Sequence, residues 1–249
     1  MVTTIEHLSV ELFHEIFIYF QLHEVFNIFS NLNSRFASIM DDLISLIPVY
    51  LGLNGMSITV TEFYYTHLSQ SNISSRLISL CVSDTLAIDN GLWLAEHLST
   101  FINLHRLSLI DIKRSSFQLI LNSLSPINSL IMFSLRFSTE DRAAYTFKGV
   151  PEGVYYERIF HLFPSLRVCH LFFWPYIHST LDSQLVLPPG RTFMFVQISL
   201  LNLQSLALCC SPSFLSHLFE HLPQLEQLSY SQTTPWLPEK HPLRYSDHK

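Results

Sequence analysis

Glycine is scarce. The 249-residue chain holds six, and no two stand two positions apart, so the G-x-G loop that cradles a phosphate is excluded. Neither G-x-x-x-x-G-K-[ST] nor G-x-S-x-G occurs, which removes P-loop nucleotide hydrolysis and the α/β-hydrolase nucleophile elbow. Charge is scarce as well, at 14% of residues against 48% apolar ones. Such a chain builds a sizeable core, as one large domain or two small ones, and is too hydrophobic for disorder. Basic residues are nearly missing from the first quarter. Up to Glu62 there is only Arg35, against Glu6, Glu11, Glu15, Glu24, Asp41, Asp42 and Glu62, and beyond that point the charges cancel to leave the net −6 of the chain. No basic stripe exists, so neither nucleic acid nor a membrane is expected as partner.

Four cysteines (Cys81, Cys169, Cys209, Cys210) show no C-x-x-C spacing and no disulfide framework. The N-terminus lacks the pattern of a secretory signal peptide. The apolar run Ile16–Phe20 falls far short of the ~20 residues that span a bilayer. An intracellular protein, cytoplasmic or nuclear, is the expectation.

What is present begins with LSVELFHEIFIYFQLHEVFNIFSNLNSRFASIM, from Leu8 to Met40. Ser9 is a suitable helix N-cap with Glu11 in the first turn behind it. Leu12, Phe13, Ile16, Phe17 and Phe20 make a broad apolar face. Leu22, Val25, Phe29, Leu32, Phe36 and Ile39 then recur at alternating steps of three and four, the spacing of an amphipathic helix. Two packed helices joined near Gln21–His23 follow. About 40 residues are too few to bury a core alone, so either the rest of the chain or another protein covers this surface.

The stretch resembles an F-box, the small three-helix module that docks on the Skp-type adaptor of cullin-based ubiquitin ligases. Leu8, Glu11-Leu12, Ile16-Phe17, Tyr19-Phe20, Val25 and the run Leu32 to Phe36 carry the likeness, with Ser9 where the family usually has proline and Phe36 where it often has tryptophan. The resemblance implies adaptor docking through Leu8, Ser9, Leu12, Ile16, Phe17, Leu32 and Phe36, with the cullin reached through the adaptor.

Downstream, an L-x-x-L-x-L pattern recurs at Leu77-Leu80-Val82, Leu104-Leu107-Leu109, Ile127-Leu130-Met132, Leu166-Cys169-Leu171, Leu203-Leu206-Leu208 and Leu225-Leu228-Tyr230. Amphipathic segments lie between, notably Ser211 to Gln224 and the stretch with Leu92, Ala95, Leu98, Phe101 and Ile102 on one face. Most of the spacings fit leucine-rich repeats, which the pattern resembles although the family's turn asparagine is missing. The third unit sits near Pro126, so its register is open to a shift of one residue. The expected architecture is α/β: an F-box-like helical module (5–45), a linker with a possible strand and helix (46–75), the strand within Ser57 to Leu68, a short irregular leucine-rich-repeat solenoid (76–232) and a flexible tail (233–249). An ordinary helical hairpin capping a mixed α/β domain is the plainer alternative.

Chemistry-bearing constellations are weak. His217 and His221 stand at i and i+4, but a zinc site needs further ligands, and a solvated helix face explains them. Cys169 reads as a small buried hydrophobe, and no cysteine has a basic partner. No catalytic residue, metal or cofactor is expected. Ser138 to Gly153 and Ile177 to Arg191 look like insertions, and Tyr145, Trp174 and Tyr176 beside them are candidate contacts to a protein target. The function expected is a non-catalytic substrate-recognition adaptor of a cullin-type (SCF) ubiquitin ligase; the rival is a leucine-rich-repeat interaction scaffold unrelated to ubiquitin transfer.

Overall fold

The computed structural model describes residues 5–29, 32–43, 47–53, 56–84, 88–123, 128–137, 158–172, 200–210, 215, 219 and 222–232. After a short 3₁₀ turn come three helices, α1 (Val10–Phe17), α2 (Leu22–Phe29) and α3 (Ser34–Leu43). The expected long second helix is thus two. Asn33 breaks it: its side-chain oxygen accepts from the amides of Arg35 and Phe36 at 3.1 Å each, capping a new helix. The α2 start is held in the reverse sense, by Glu24, whose carboxylate accepts from the Gln21 amide at 2.7 Å.

Strand β1 (Val49–Leu51) follows, then α4 (Ile58–Leu68), the short α5 (Ser71–Ser74), β2 (Ser79–Ser83), α6 (Asn90–His97), β3 (Arg106–Ile112), α7 (Arg114–Ser123), β4 (Met132–Phe137), β5 (Val168–Phe172), β6 (Ser205–Cys210) and β7 (Gln227–Gln232). Among the described residues the seven strands form one sheet in chain order, and every neighbouring pair is parallel. Register aligns the rows Val49, Leu80, Leu107, Phe133, Cys169, Leu206, Leu228 and Leu51, Val82, Leu109, Leu135, Leu171, Leu208, Tyr230. These rows face the helices and are buried up to β6. Alternate residues point to the opposite face, because successive side chains of a strand alternate.

This architecture corrects the expected one. The α/β class holds, but the chain is not a helical module followed by a leucine-rich-repeat solenoid. It is an α/β fold built on a seven-stranded all-parallel sheet. The first strand lies ahead of the first expected unit, and the N-terminal helices share one continuous core with the sheet, running from Phe13 to Leu222. The expected strand at Ser57 to Leu68 is the helix α4. Ser57 caps it, accepting from the Val60 amide at 3.3 Å, and Thr61, Tyr64 and Leu68 are buried at steps of three and four. The third leucine unit starts three residues later than expected. Leu130, Phe133 and Leu135 are buried, and Met132 lies on the other face. Of the face expected near α6, Ala95, Leu98 and Phe101 are buried, whereas Leu92 and Ile102 are exposed.

Candidate docking surfaces

Four phenylalanines form the centre of the N-terminal helices. Phe13 meets Phe36 edge-on at 5.1 Å, Phe17 lies 4.9 Å from Phe29, and Phe29 lies 5.5 Å from Phe36. Arg35 ties the start of α1 to α3 by donating to the Leu8 carbonyl at 2.7 Å. With its inner side so filled, α1 leaves an outer side uncovered. Leu12 is 49% exposed, and Val10, Ile18, Tyr19 and, across the bundle, Ile28 and Leu32 are exposed too.

Of the residues expected to touch an adaptor, Leu12, Leu32 and Ser9 are on the surface, and Leu8 and Ile16 are half-buried against the core. Phe17 and Phe36 are fully buried, so they hold the helices together and offer no surface to a partner. Ser9 takes the N-cap position with extended backbone but makes no side-chain cap bond. The backbone amide of Glu11 and then the Ser9 hydroxyl hold the Glu11 carboxyl below its ordinary value.

An aromatic joint fixes the helices to the rest of the molecule. Phe26 of α2 packs edge-on against Phe63 of α4 at 5.6 Å, and Phe63 stacks on His67 at 3.9 Å. His23 Nδ1 lies 3.3 Å from the Tyr64 hydroxyl, and burial pushes that phenol up to about 12. The next residue of α4 reaches α6: Tyr65 donates to Asn90 Oδ1 at 2.7 Å, and its ring stacks on Trp93 at 4.8 Å.

Asn90 belongs to a polar staple over the ends of β1 to β3. Its amide donates to the Ser83 carbonyl at 2.6 Å. Asp84 accepts from the amides of Gly91 and Lys113 at 2.8 and 2.9 Å, while burial pushes its carboxyl up. Asp89 accepts from the Leu92 amide and the Ser116 hydroxyl, and pairs with Lys113 at 3.5 Å. Sequence reasoning missed this staple. The turn-forming run Asp89-Asn90-Gly91 was its only local sign, since the partners lie up to 29 residues away. The staple joins elements across the ends of the strands. Among the described residues no buried side-chain polar atom lacks a partner.

The sheet face away from the helices is partly exposed among the described residues, with Tyr50 and Ser229 exposed, Ser108, Ser134 and His170 half-buried, and Cys81 and Ala207 buried. Its central row is Tyr50, Cys81, Ser108, Ser134, His170, Ala207 and Ser229. Phe172 stands exposed beside Arg136, which is clasped by Asp111 at 2.9 and 3.1 Å. Asp111 adopts φ 54° at a bulge in β3. The strand order never reverses, so the described sheet has none of the switch points at which open α/β sheets form ligand crevices.

Burial pushes the Cys81 thiol up to about 11 and raises Cys169 further, the opposite of thiolate activation. No group of three metal-ligating side chains occurs among the described residues, and none of their helices is long and apolar enough to cross a membrane. His217, His221, Tyr145, Trp174 and Tyr176 lie outside the described residues, as do the side chains of Cys209 and Cys210. No family model matches the chain, and no curated protein matches it.

Proposed function

We propose that the protein is a non-catalytic substrate-recognition subunit of a cullin-type ubiquitin ligase, docking through α1 to α3 on a Skp-type adaptor and presenting a protein target on the sheet. One observation carries the reading: the N-terminal helices fill their own centre with phenylalanine yet leave Leu12 and Leu32 about half exposed, at 49% and 53%. Large apolar side chains kept in water on α1 and in the turn before α3 mark an interaction surface more than a stability device. Their burial on a partner contributes roughly 1.5–3 kcal/mol for each side chain fully covered. The sheet face away from the helices, where Tyr50 and Phe172 are exposed, suits a protein target. Catalysis then comes from proximity, through the effective concentration of target lysines near the transfer machinery. Such a role belongs in the cytoplasm or nucleus.

Co-expression with a Skp-type adaptor tests it. Wild type is expected to be captured, and Leu12→Asp/Leu32→Asp to lose capture while keeping the wild-type circular dichroism. Capture that survives both substitutions overturns the proposal. A folded wild type that never meets the adaptor points instead to a scaffold outside ubiquitin transfer.

A further inference from the structure

The strands carry very little charge. Asp111 is the only carboxylate on the described strands, and Arg136 holds it with two hydrogen bonds. Other described arginines are engaged as well. Arg35 donates to the Leu8 carbonyl, Arg114 lies over the Phe137 ring at 4.8 Å, and Arg158 donates to the Leu121 carbonyl and the Asn122 side chain. Three are not. Arg76 ahead of β2, Arg106 at the start of β3 and Arg167 just before β5 have no side-chain partner among the described residues, and Arg106 and Arg167 are exposed. Because the strands are parallel, all three stand at the same end of the sheet. Arg106 pairs with Met132 and Met132 with Val168, so Arg106 and Arg167 lie two strands apart, one residue out of line. Strands are spaced by about 4.8 Å, which separates the two by roughly 10 Å. The Gln204 amide donates to the Arg167 carbonyl and the Glu226 amide to the Gln204 carbonyl, at 2.9 and 2.8 Å, which puts Glu226 a further two strands away. That is beyond ion-pair reach. A chain of net charge −6 thus keeps its unpaired described arginines at the strand starts.

We infer that this end of the sheet takes an acidic segment of a protein partner, whose aspartate or glutamate side chains, three residues apart, meet Arg106 and Arg167. The inference rests on the reading of the sheet as the target surface and adds to it the chemistry of the target. An extended chain advances about 3.3 Å per residue, so a step of three covers the roughly 10 Å between the two arginines. A guanidinium meets a carboxylate through two parallel N–H donors, which fixes orientation as well as charge. Exposed Gln204 and Gln227 on the neighbouring strands have the donors and acceptors to bond the backbone of such a segment.

The test measures binding of the full chain to a fluorescein-labelled oligoglutamate peptide by fluorescence anisotropy at about 50 mM salt, where exposed charges are weakly screened. An oligolysine peptide and an oligothymidylate of equal length are the controls. Wild type is expected to bind oligoglutamate and neither control. Arg106→Ala/Arg167→Ala should weaken binding about tenfold, the combined effect of two exposed ion pairs. Arg106→Lys/Arg167→Lys should weaken it less. Arg158→Gln, whose guanidinium is already bonded at the end of α7, should leave it unchanged. Failure of oligoglutamate to bind, or equal binding by the double alanine variant, overturns the inference. Equal binding of oligothymidylate overturns it too, because that marks a surface for any polyanion. Capture by a Skp-type adaptor, measured on the same preparations, keeps the two readings apart. Capture without peptide binding overturns the acidic segment alone, and peptide binding without capture overturns the ubiquitin-ligase reading alone.

Discussion

Gly52 shows how narrowly a single position can be constrained here. Its φ is +81°, and a β-carbon at that position would collide with the Ser83 carbonyl and the Asn90 amide. Those two groups are hydrogen-bonded to each other, and Asn90 is also the acceptor for Tyr65. Gly52→Ala therefore strains the backbone and pushes the staple apart together, and a loss of about 2–4 kcal/mol is expected in denaturant unfolding. The tyrosines of α4 give a pH signature. Both phenols are raised from 10.0 to about 12, chiefly by burial. The unfolded chain thus releases these protons first, so their contribution is complete below pH 10 and is lost as pH rises towards about 12. The denaturation midpoint should fall across that window, and Tyr64→Phe/Tyr65→Phe should make the fall shallower. None of this is visible along the chain, because Gly52, Tyr65, Ser83 and Asn90 become neighbours only when β1 and β2 pair.

At the scale of elements, local signals compete, and the competition explains which of them succeed. The heptad-like apolar steps from Leu22 to Ile39 are legible as helix, and the buried faces of α2 and α3 follow them. Their interruption at Asn33 was equally written in the sequence, as a strong N-cap residue inside a periodic run. In α4 the alternation of Ile58 and Val60 with hydroxyl residues spans too few positions to set a strand. The Ser57 cap and the helical spacing of Thr61, Tyr64 and Leu68 prevail. Ser57→Ala should cost about 1 kcal/mol and should reduce amide protection in the first turn of α4 before it affects the strands. The leucine units forecast five of the strands at their positions, while the third is displaced because Leu130 serves two expected roles and only pairing with β3 chooses between them. Phe133 must lie against Leu107 to reach the core, and a slip of one residue would have turned it to the open face.

For the whole molecule, the decisive fact is continuity. The phenylalanine cluster of α1 to α3 and the leucine rows of the sheet belong to one buried core, joined through Phe26, Phe63 and Tyr64. The helices and strands should therefore unfold together. Phe13→Ala, which opens a cavity among the N-terminal helices, is expected to destabilise by about 3–5 kcal/mol. In native-state hydrogen exchange it should lower protection in β2 to β4 by the same free energy as in α2 and α3. Loss confined to the helices would show that the core is divided. Parallel sheets are usually covered on both faces, and among the described residues the helix-facing side of this one is the more completely buried. Helices α6 and α7 pack side by side, and the buried rows lie on a single face of the sheet. On the other face, among the described residues, Ser108, Ser134, His170 and Arg136 keep contact with water, while Cys81, Ser83 and Ala207 are buried.

The amino-acid sequence by itself determined that the chain has a large apolar core, that helices open it, and that leucine-bearing strands recur after them. These follow from composition and spacing, which act between residues a few positions apart. The tertiary structure decided which large side chains are sealed and which remain exposed. Phe17 and Phe36 looked like contacts and are core; Leu12 and Leu32, equally apolar, are left outside. That division depends on which faces the neighbouring helices cover, and burial is a property of the packed assembly of elements, to which local spacing contributes only the candidates.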